Sequence, residues 1–214
     1  LALCGLATSV VRADLLLAFD FAGYAGSEVQ CTSTVSSVGI APNALITRGA
    51  GITASGNGDR FNAQGWDGFA TAADALTGNN FFEFSITPTG GNLMTITSVF
   101  FQVQRSNTGA SNLVLRSSAD SYASDLGSLI NFANATVTTP LTVNLSGNSS
   151  FENLSGPLTF RIIGYTGATG GSMGFEGTGN DIQVFGSVVP EPGSVLLFGM
   201  GMALIAAVRR RNQP

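Results

Sequence analysis

The sequence contains no histidine and no lysine, and only 10% of its 214 residues are charged. The stretch GGSMG (residues 170–174) resembles the nucleophile motif G-x-S-x-G, but Ser172 has no histidine base anywhere in the chain. Zinc sites built from cysteine and histidine are excluded by the same shortage. These absences argue against serine hydrolases and Cys/His zinc proteins.

Positive charge is also scarce in the body of the chain. Residues 14–189 carry five arginines against twelve acidic residues. A nucleic-acid-binding protein needs cations to displace counterions from phosphates, so we expect no nucleic-acid partner. Only two glycine-rich stretches, 56–59 and 177–181, resemble phosphate loops, and both lack the strand–turn–helix context that such a loop requires.

Only two cysteines are present, and Cys4 lies in an apolar leader. Cys31 would therefore be alone in a mature chain, where we expect a buried, inert thiol and no internal disulfide. Glycoside hydrolysis needs two carboxylates across a cleft, and nothing in the sequence pairs Glu83, Glu152 or Glu176. The sequence predicts a protein that is not an enzyme and needs no cofactor.

Residues 1–13 have the features of a partial signal peptide. An apolar run from Leu1 to Val11 is followed by small or aliphatic residues at Val11 and Ala13, the −3 and −1 positions of an A-x-A-like cleavage site. The chain does not begin with methionine, so we expect a longer leader. The alternative is that this run forms a buried first strand or helix.

The other end of the chain predicts a membrane segment. Ser194–Val208 is an uncharged apolar run of 15 residues, about 22 Å as a helix. Adding Gly193 and snorkelling arginines brings a helix over 193–208 near the lower limit for spanning a bilayer. Arg209, Arg210 and Arg211 would stay cytoplasmic and leave the body outside. Pro190 and Pro192 favour an extended segment with free amides that a processing enzyme could grip.

The tail 189–214 resembles the PEP-CTERM sorting tail of Gram-negative bacteria. The resemblance rests on Pro190-Glu191-Pro192, a short apolar helix and a terminal arginine cluster, in that order. It implies export, recognition of residues 190–192 by an exosortase, and delivery to the envelope or an extracellular polysaccharide matrix. An ordinary single-pass anchor with a proline-rich stalk is the alternative.

Between these ends, residues 14–188 show short runs of period two separated by Gly, Asn and Ser clusters. They predict eight to ten strands and an all-β fold, a single antiparallel β-sandwich. Phe82, Phe84 and Ile86 should share one face. The run 93–105 should be a long strand with a bulge or two buried faces, paired with 111–118 through the turn SNTGA. Residues 71–78 could form a helical turn.

The body is also similar to a jelly-roll-like sandwich domain of secreted bacterial proteins. The likeness is carried by FFEFSIT, an RS-x-TG turn, the pattern LRSS-x-D-x-Y at residues 115–122, and a closing Asp–hydrophobic strand. That domain has no established activity, so the resemblance implies a fold and a location only.

The sequence leads to two hypotheses for ligand sites. First and last strands often run together in such sandwiches, so Asp20 and Asp181 could share a structural calcium ion; the alternative is two surface or capping acids. Trp66, the only tryptophan, lies in AQGWDGFA and could stack on a sugar, the alternative being a loop anchor. We expect an exported, non-catalytic envelope or matrix protein that binds polysaccharide, or a purely structural or adhesive surface protein.

Overall fold

A computed structural model describes residues 13–132 and 136–191. In that part of the chain, fourteen strands form two antiparallel sheets that make a sandwich. The strands are β1 Asp14–Phe19, β2 Gln30–Thr32, β3 Val35–Ser36, β4 Leu45–Arg48, β5 Thr53–Ala54, β6 Phe61–Gln64, β7 Phe81–Ile86, β8 Asn92–Arg105, β9 Asn112–Ser117, β10 Leu126–Asn131, β11 Thr139–Asn144, β12 Leu158–Tyr165, β13 Ser172–Phe175 and β14 Ile182–Pro190. The expected all-β class is confirmed, and the short strands raise the count above the eight to ten expected.

The larger sheet has eight strands and the smaller has six. The larger runs β3-β1-β14-β8-β13-β6-β5, and the smaller runs β10-β9-β12-β7-β4-β2. β11 also joins the larger sheet, along β8. Because β8 pairs with β11 on one edge, β14 and β13 follow each other along the opposite edge. The long β8 thus pairs with three other strands and lies at the centre of its sheet.

The first and last strands pair with each other, as expected. Phe19 in β1 faces Ile182 in β14, and the ladder continues to Asp14 opposite Gly186. Every residue of β14 in turn pairs with a residue of β8. The C-terminal strand of the body is therefore an interior strand of its sheet.

The core lies between the sheets and is dominated by phenylalanine. Phe82, Phe84 and Ile86 are all buried on the inner face of β7, which confirms the period-two prediction. Phe82 lies edge-on to Phe175 of the facing sheet, with ring centroids 4.8 Å apart. Each fully buried phenylalanine contributes about 1.5–3 kcal/mol of transfer free energy, so these rings hold the sheets together, and no disulfide joins the described residues.

β8 carries the predicted bulge, at a different place. Phe185 of β14 faces Ser98 while Gly186 faces Ile96, so Thr97 is the extra residue. The bulge shifts the alternation, and Val99 is buried like Ile96. The double phenylalanine at 100–101 therefore follows ordinary alternation, with only Phe101 in the core.

The predicted hairpin between β8 and β9 is wrong. β9 pairs with β10 and β12 in the smaller sheet, while β8 belongs to the larger one. Residues 106–111 instead carry the chain from one sheet to the other. Both edges of β8 are taken by strands from later in the sequence, which a local turn signal could not reveal.

The predicted helical turn is confirmed as α1, Ala72–Thr77. Thr71 caps it, its hydroxyl accepting from the Asp74 amide at 3.2 Å. The helix covers part of the outer face of the smaller sheet, where Ala75 packs in one cluster with Val114 and Ile163. This cover explains why β9 and β12 carry apolar residues on both faces.

Candidate functional site

The last strand of the body leads directly into the proline-bracketed glutamate. β14 pairs with β8 as far as Pro190, which faces Asn92. The next amide, that of Glu191, donates to the Gly91 carbonyl at 3.1 Å. Pro190 has no N–H to donate, so it suits the end of a ladder. The extended conformation expected for this segment is therefore present.

The sequence also predicts a free backbone amide at this position, and the structure shows that the amide of Glu191 is not free. Glu191 N–H is engaged by Gly91, so an enzyme that grips this backbone group must first separate it from β8. Pro192, the 193–208 segment and Arg209–Arg211 lie outside the described residues. Among the helices of residues 13–132 and 136–191, none has the length and hydropathy needed to cross a membrane.

Side-chain packing holds the start of this segment against the body. Val188 is half-buried at the edge of the core. Gly39 lies against it: a Cβ on Gly39 would come within 2.7 Å of Val188 Cγ1, and its φ of +87° favours glycine. Val189 is 43% exposed, and Pro190 and Glu191 are exposed. Val188 therefore packs the start of the segment against the body, while residues 189–191 are exposed to solvent.

Trp66 is not available to a sugar. The residue is completely buried, and its Nε1–H donates to the Ala63 carbonyl at 3.0 Å. Its ring packs on Phe82, 5.5 Å between centroids, and lies against Gly164, where a Cβ would come within 2.7 Å of Cζ3. The hypothesis of a glycan contact is corrected accordingly: Trp66 is a core residue, anchored more deeply than the loop anchor considered above.

Asp20 and Asp181 come together at the paired ends of β1 and β14, as the topology argument expected. Asp181 is 1% exposed, and its Oδ2 accepts from the Phe21 amide at 2.8 Å. Asp20 Oδ1 accepts from the Ala22 amide at 2.9 Å. In the described part of the chain, no group of three acidic, cysteine or histidine side chains could hold a metal ion. Calcium binding here stays a prediction.

The buried carboxyl of Asp181 has an unusual proton affinity. Burial raises its pKa to about 6, and the nearby carboxylates of Asp20 and Glu176 add to the effect, while the Phe21 N–H opposes it. Its Oδ1 has no hydrogen-bond partner among the described residues. Near neutral pH this side chain therefore carries a poorly solvated charge.

Cys31 matches the expectation of a buried, inert thiol. It is 2% exposed and forms no disulfide. Burial, followed by the Glu28 carboxylate, raises its pKa to about 12 against the smaller opposing effect of Arg48. The thiolate is the nucleophilic form, so this cysteine is protected from ordinary thiol chemistry.

Residues 188–211 match the family described as the PEP-CTERM protein-sorting motif. The chain carries a PEP-CTERM motif. The match begins at Val188, inside β14, so the motif overlaps the last three residues of that strand. It indicates an exported protein associated with the cell envelope.

The body preceding the PEP-CTERM motif has a distant structural likeness. A solved structure of the carbohydrate-binding module TmCBM61 in complex with β-1,4-galactotriose aligns at 12% identity and a TM-score of 0.30. The alignment covers 50% of this chain and 66% of the other. A comparison with curated proteins found no match.

A polar pocket that no sequence pattern predicts lies beside the end of β9. Its volume is about 210 Å³, and its lining includes Ser117, Asp120, Asp125, Asn148, Ser150 and Phe151. Three of its nine lining residues, Ser117, Ala119 and Asp120, belong to the pattern LRSS-x-D-x-Y. Three more come from residues 124–126 and three from residues 148–151, and no local signal in the sequence joins these segments.

Proposed function

We propose that this chain is an exported, non-catalytic envelope protein whose sorting tail is recognised by an exosortase and whose β-sandwich binds polysaccharide at the cell surface. The observation that carries the proposal is the continuity of β14 with the PEP-CTERM motif, which begins at Val188 without an intervening linker. A body joined in this way is carried wherever its tail is delivered.

The finer topology belongs to the same proposal. Residues 1–13 are the end of a signal peptide, residues 193–208 form a transmembrane helix, and Arg209–Arg211 remain in the cytoplasm of a Gram-negative bacterium. The jelly-roll-like body is then displayed outside the membrane, at the surface or in the extracellular matrix. The exposed Pro190 and Glu191 offer the enzyme two of the three residues of its recognition element.

The proposal of a non-catalytic body is supported by how its carboxylates are used. Glu83 pairs with Arg161, Nε to Oε2 at 2.5 Å, and Glu176 pairs with Arg60 at 2.8 Å. Glycoside hydrolysis needs two carboxylates that face each other across a cleft, and each of these two is instead bound to an arginine. The missing histidine removes the commonest alternative base.

The test is processing of the full chain in a Gram-negative host with and without its exosortase. The expected result is a tail processed only when the enzyme is present, detected by mass spectrometry of the C-terminus. Glu191→Gln should reduce processing, because the motif's carboxylate is exposed and ready for recognition. Glu152→Gln, at another exposed glutamate, is the matched control. Equal processing with and without the enzyme would contradict the proposal.

A further inference from the structure

Two loops that are distant in sequence meet beside the end of β9. Residues 117–126 leave β9 through a 3₁₀ turn, Ser118–Asp120, and residues 148–151 contain a second one, Ser149–Phe151. Together they enclose the pocket of about 210 Å³. Pockets for drug-sized ligands usually measure roughly 300–1,000 Å³, so this one fits a single small ring.

Ser117 supplies the first sign that the pocket is made for a polar ligand. It is the last residue of β9, points to the inner face like Leu113 and Leu115, and is 1% exposed. Its Oγ is buried without a hydrogen-bond partner in the described part of the chain, and the residue lines the pocket. Buried hydroxyls are nearly always satisfied, so an unpaired one beside a cavity indicates a group that enters the cavity.

The carboxylates at the rim are already held in place. Asp125 Oδ1 accepts from Arg116 Nε at 2.6 Å. The two oxygens of Asp120 accept from the Ala123 and Ser124 amides at 3.2 and 2.9 Å. Slight burial raises the pKa of Asp120, but the hydrogen bonds from Ser124 and Ala123 outweigh it and lower the pKa overall. Each carboxylate keeps lone pairs for hydroxyl donors.

A smaller part of the pocket lining is apolar. Phe151 lines the pocket but is only 1% exposed and stacks on Phe160, with centroids 6.2 Å apart, so its ring supports the wall from below and presents no free face to a ligand. Leu126 is half-buried at its side. A hexose ring has one apolar C–H face and an equatorial edge of hydroxyls, and it needs this combination of an apolar surface and fixed acceptors.

Charge selects among possible sugars. The rim carries two aspartates, and only Asp125 is paired with an arginine. A uronic acid or sulfated sugar would be repelled. We propose that this pocket binds one neutral hexose unit of a polysaccharide, with Ser117, Asp120 and Asp125 taking its hydroxyls; the inference rests on the polysaccharide binding proposed above.

The test uses the full chain, purified in a detergent without a sugar headgroup, and methyl β-galactoside and methyl β-glucoside as probes. Saturation-transfer NMR and calorimetry measure binding. Ser117→Ala should weaken binding about three- to ten-fold, the effect of one lost hydrogen bond. It should keep the fold, because the hydroxyl it removes has no partner. Ser124→Phe should abolish binding by filling the rim. Ser155→Ala and Ser155→Phe, at an exposed serine, are the matched controls.

Three other outcomes would contradict the proposal that this pocket binds a neutral hexose. If the probes bind equally to Ser117→Ala and Ser124→Phe, the sugar binds elsewhere, and polysaccharide binding survives without this pocket. If neither probe binds, the assignment of a neutral hexose fails, while exosortase processing is judged by its own experiment. If calcium alone binds and the aspartates are needed for it, the site is a cation site and the inference is overturned.

Discussion

Asp181 gives the sharpest test of the packing at the paired ends of β1 and β14. The side chain is 1% exposed, and burial raises its pKa to about 6, against an ordinary value of 3.8. The folded state therefore holds this proton more tightly than the unfolded state does. Stability attributable to Asp181 is complete at low pH and is lost as the pH rises from about 4 to above 6.

The size of the effect follows from the two pKa values. Each pKa unit corresponds to about 1.4 kcal/mol, so ionising Asp181 costs the folded state about 3 kcal/mol. Asp181→Asn keeps the shape and an acceptor for the Phe21 amide but removes the charge. The variant should match the native protein near pH 4 and exceed its stability by up to about 3 kcal/mol near pH 8.

Urea unfolding at several pH values, in a chelator, measures this difference. Asp14→Asn, which removes an exposed carboxylate, is the matched control and should change stability little at any pH. A variant less stable than the native protein at pH 8 would refute the reasoning. Repeating the series with calcium tests the metal hypothesis, because a calcium site would reverse the sign: Asp181→Asn would then lose the stabilisation that the metal gives the native protein.

Three further predictions concern the core and the helix. Gly164→Ala should cost about 1–3 kcal/mol, because the new Cβ would meet the Trp66 ring at 2.7 Å; Gly156→Ala, with open space around it, should cost far less, and equal unfolding midpoints would contradict the packing. Cys31 should react with a thiol reagent at pH 8 only at the rate of unfolding, because its pKa is raised to about 12; rapid labelling of folded protein would show an accessible thiolate. Thr71→Ala should cost about 1 kcal/mol by removing the cap of α1, as thermal melting would reveal, and an unchanged melting temperature would mean that the cap contributes nothing.

The parts of the fold that were predictable are those with a periodic signal. Phe82, Phe84 and Ile86 alternate with polar residues, and that alternation alone assigns β7 and its buried face. The helix α1 has a threonine cap and no competing strand pattern. Strands such as β3 and β5 have two residues each, too few for any period to show.

The features that could not be predicted from the sequence depend on contacts between distant parts of the chain. Nothing near Trp66 in the sequence shows that Gly164 leaves room for its ring, so a glycine-rich stretch could pass for a surface loop. The approach of Asp20 and Asp181 could be anticipated from strand order, but strand order does not show that Asp181 is buried. The polar pocket required Ser117 and Ser150 to meet across 33 positions.

The overlap of sheet and sorting motif also depends on long-range pairing. The proline-bracketed glutamate is visible in the sequence, whereas its attachment to Asn92 and Gly91 is not. Removing residues from Val188 onward would therefore also remove three pairs of the β8–β14 ladder.

The most direct test of the account compares the full chain with a chain that lacks residues 192–214, both expressed in a host that has the sorting enzyme. Deletion at this point leaves β14 intact. The account predicts that the full chain is found with the envelope and that the shortened chain is exported, folded and released in soluble form. A shortened chain that still fractionates with the membrane would contradict it, because the determinant of retention would then lie in the sandwich.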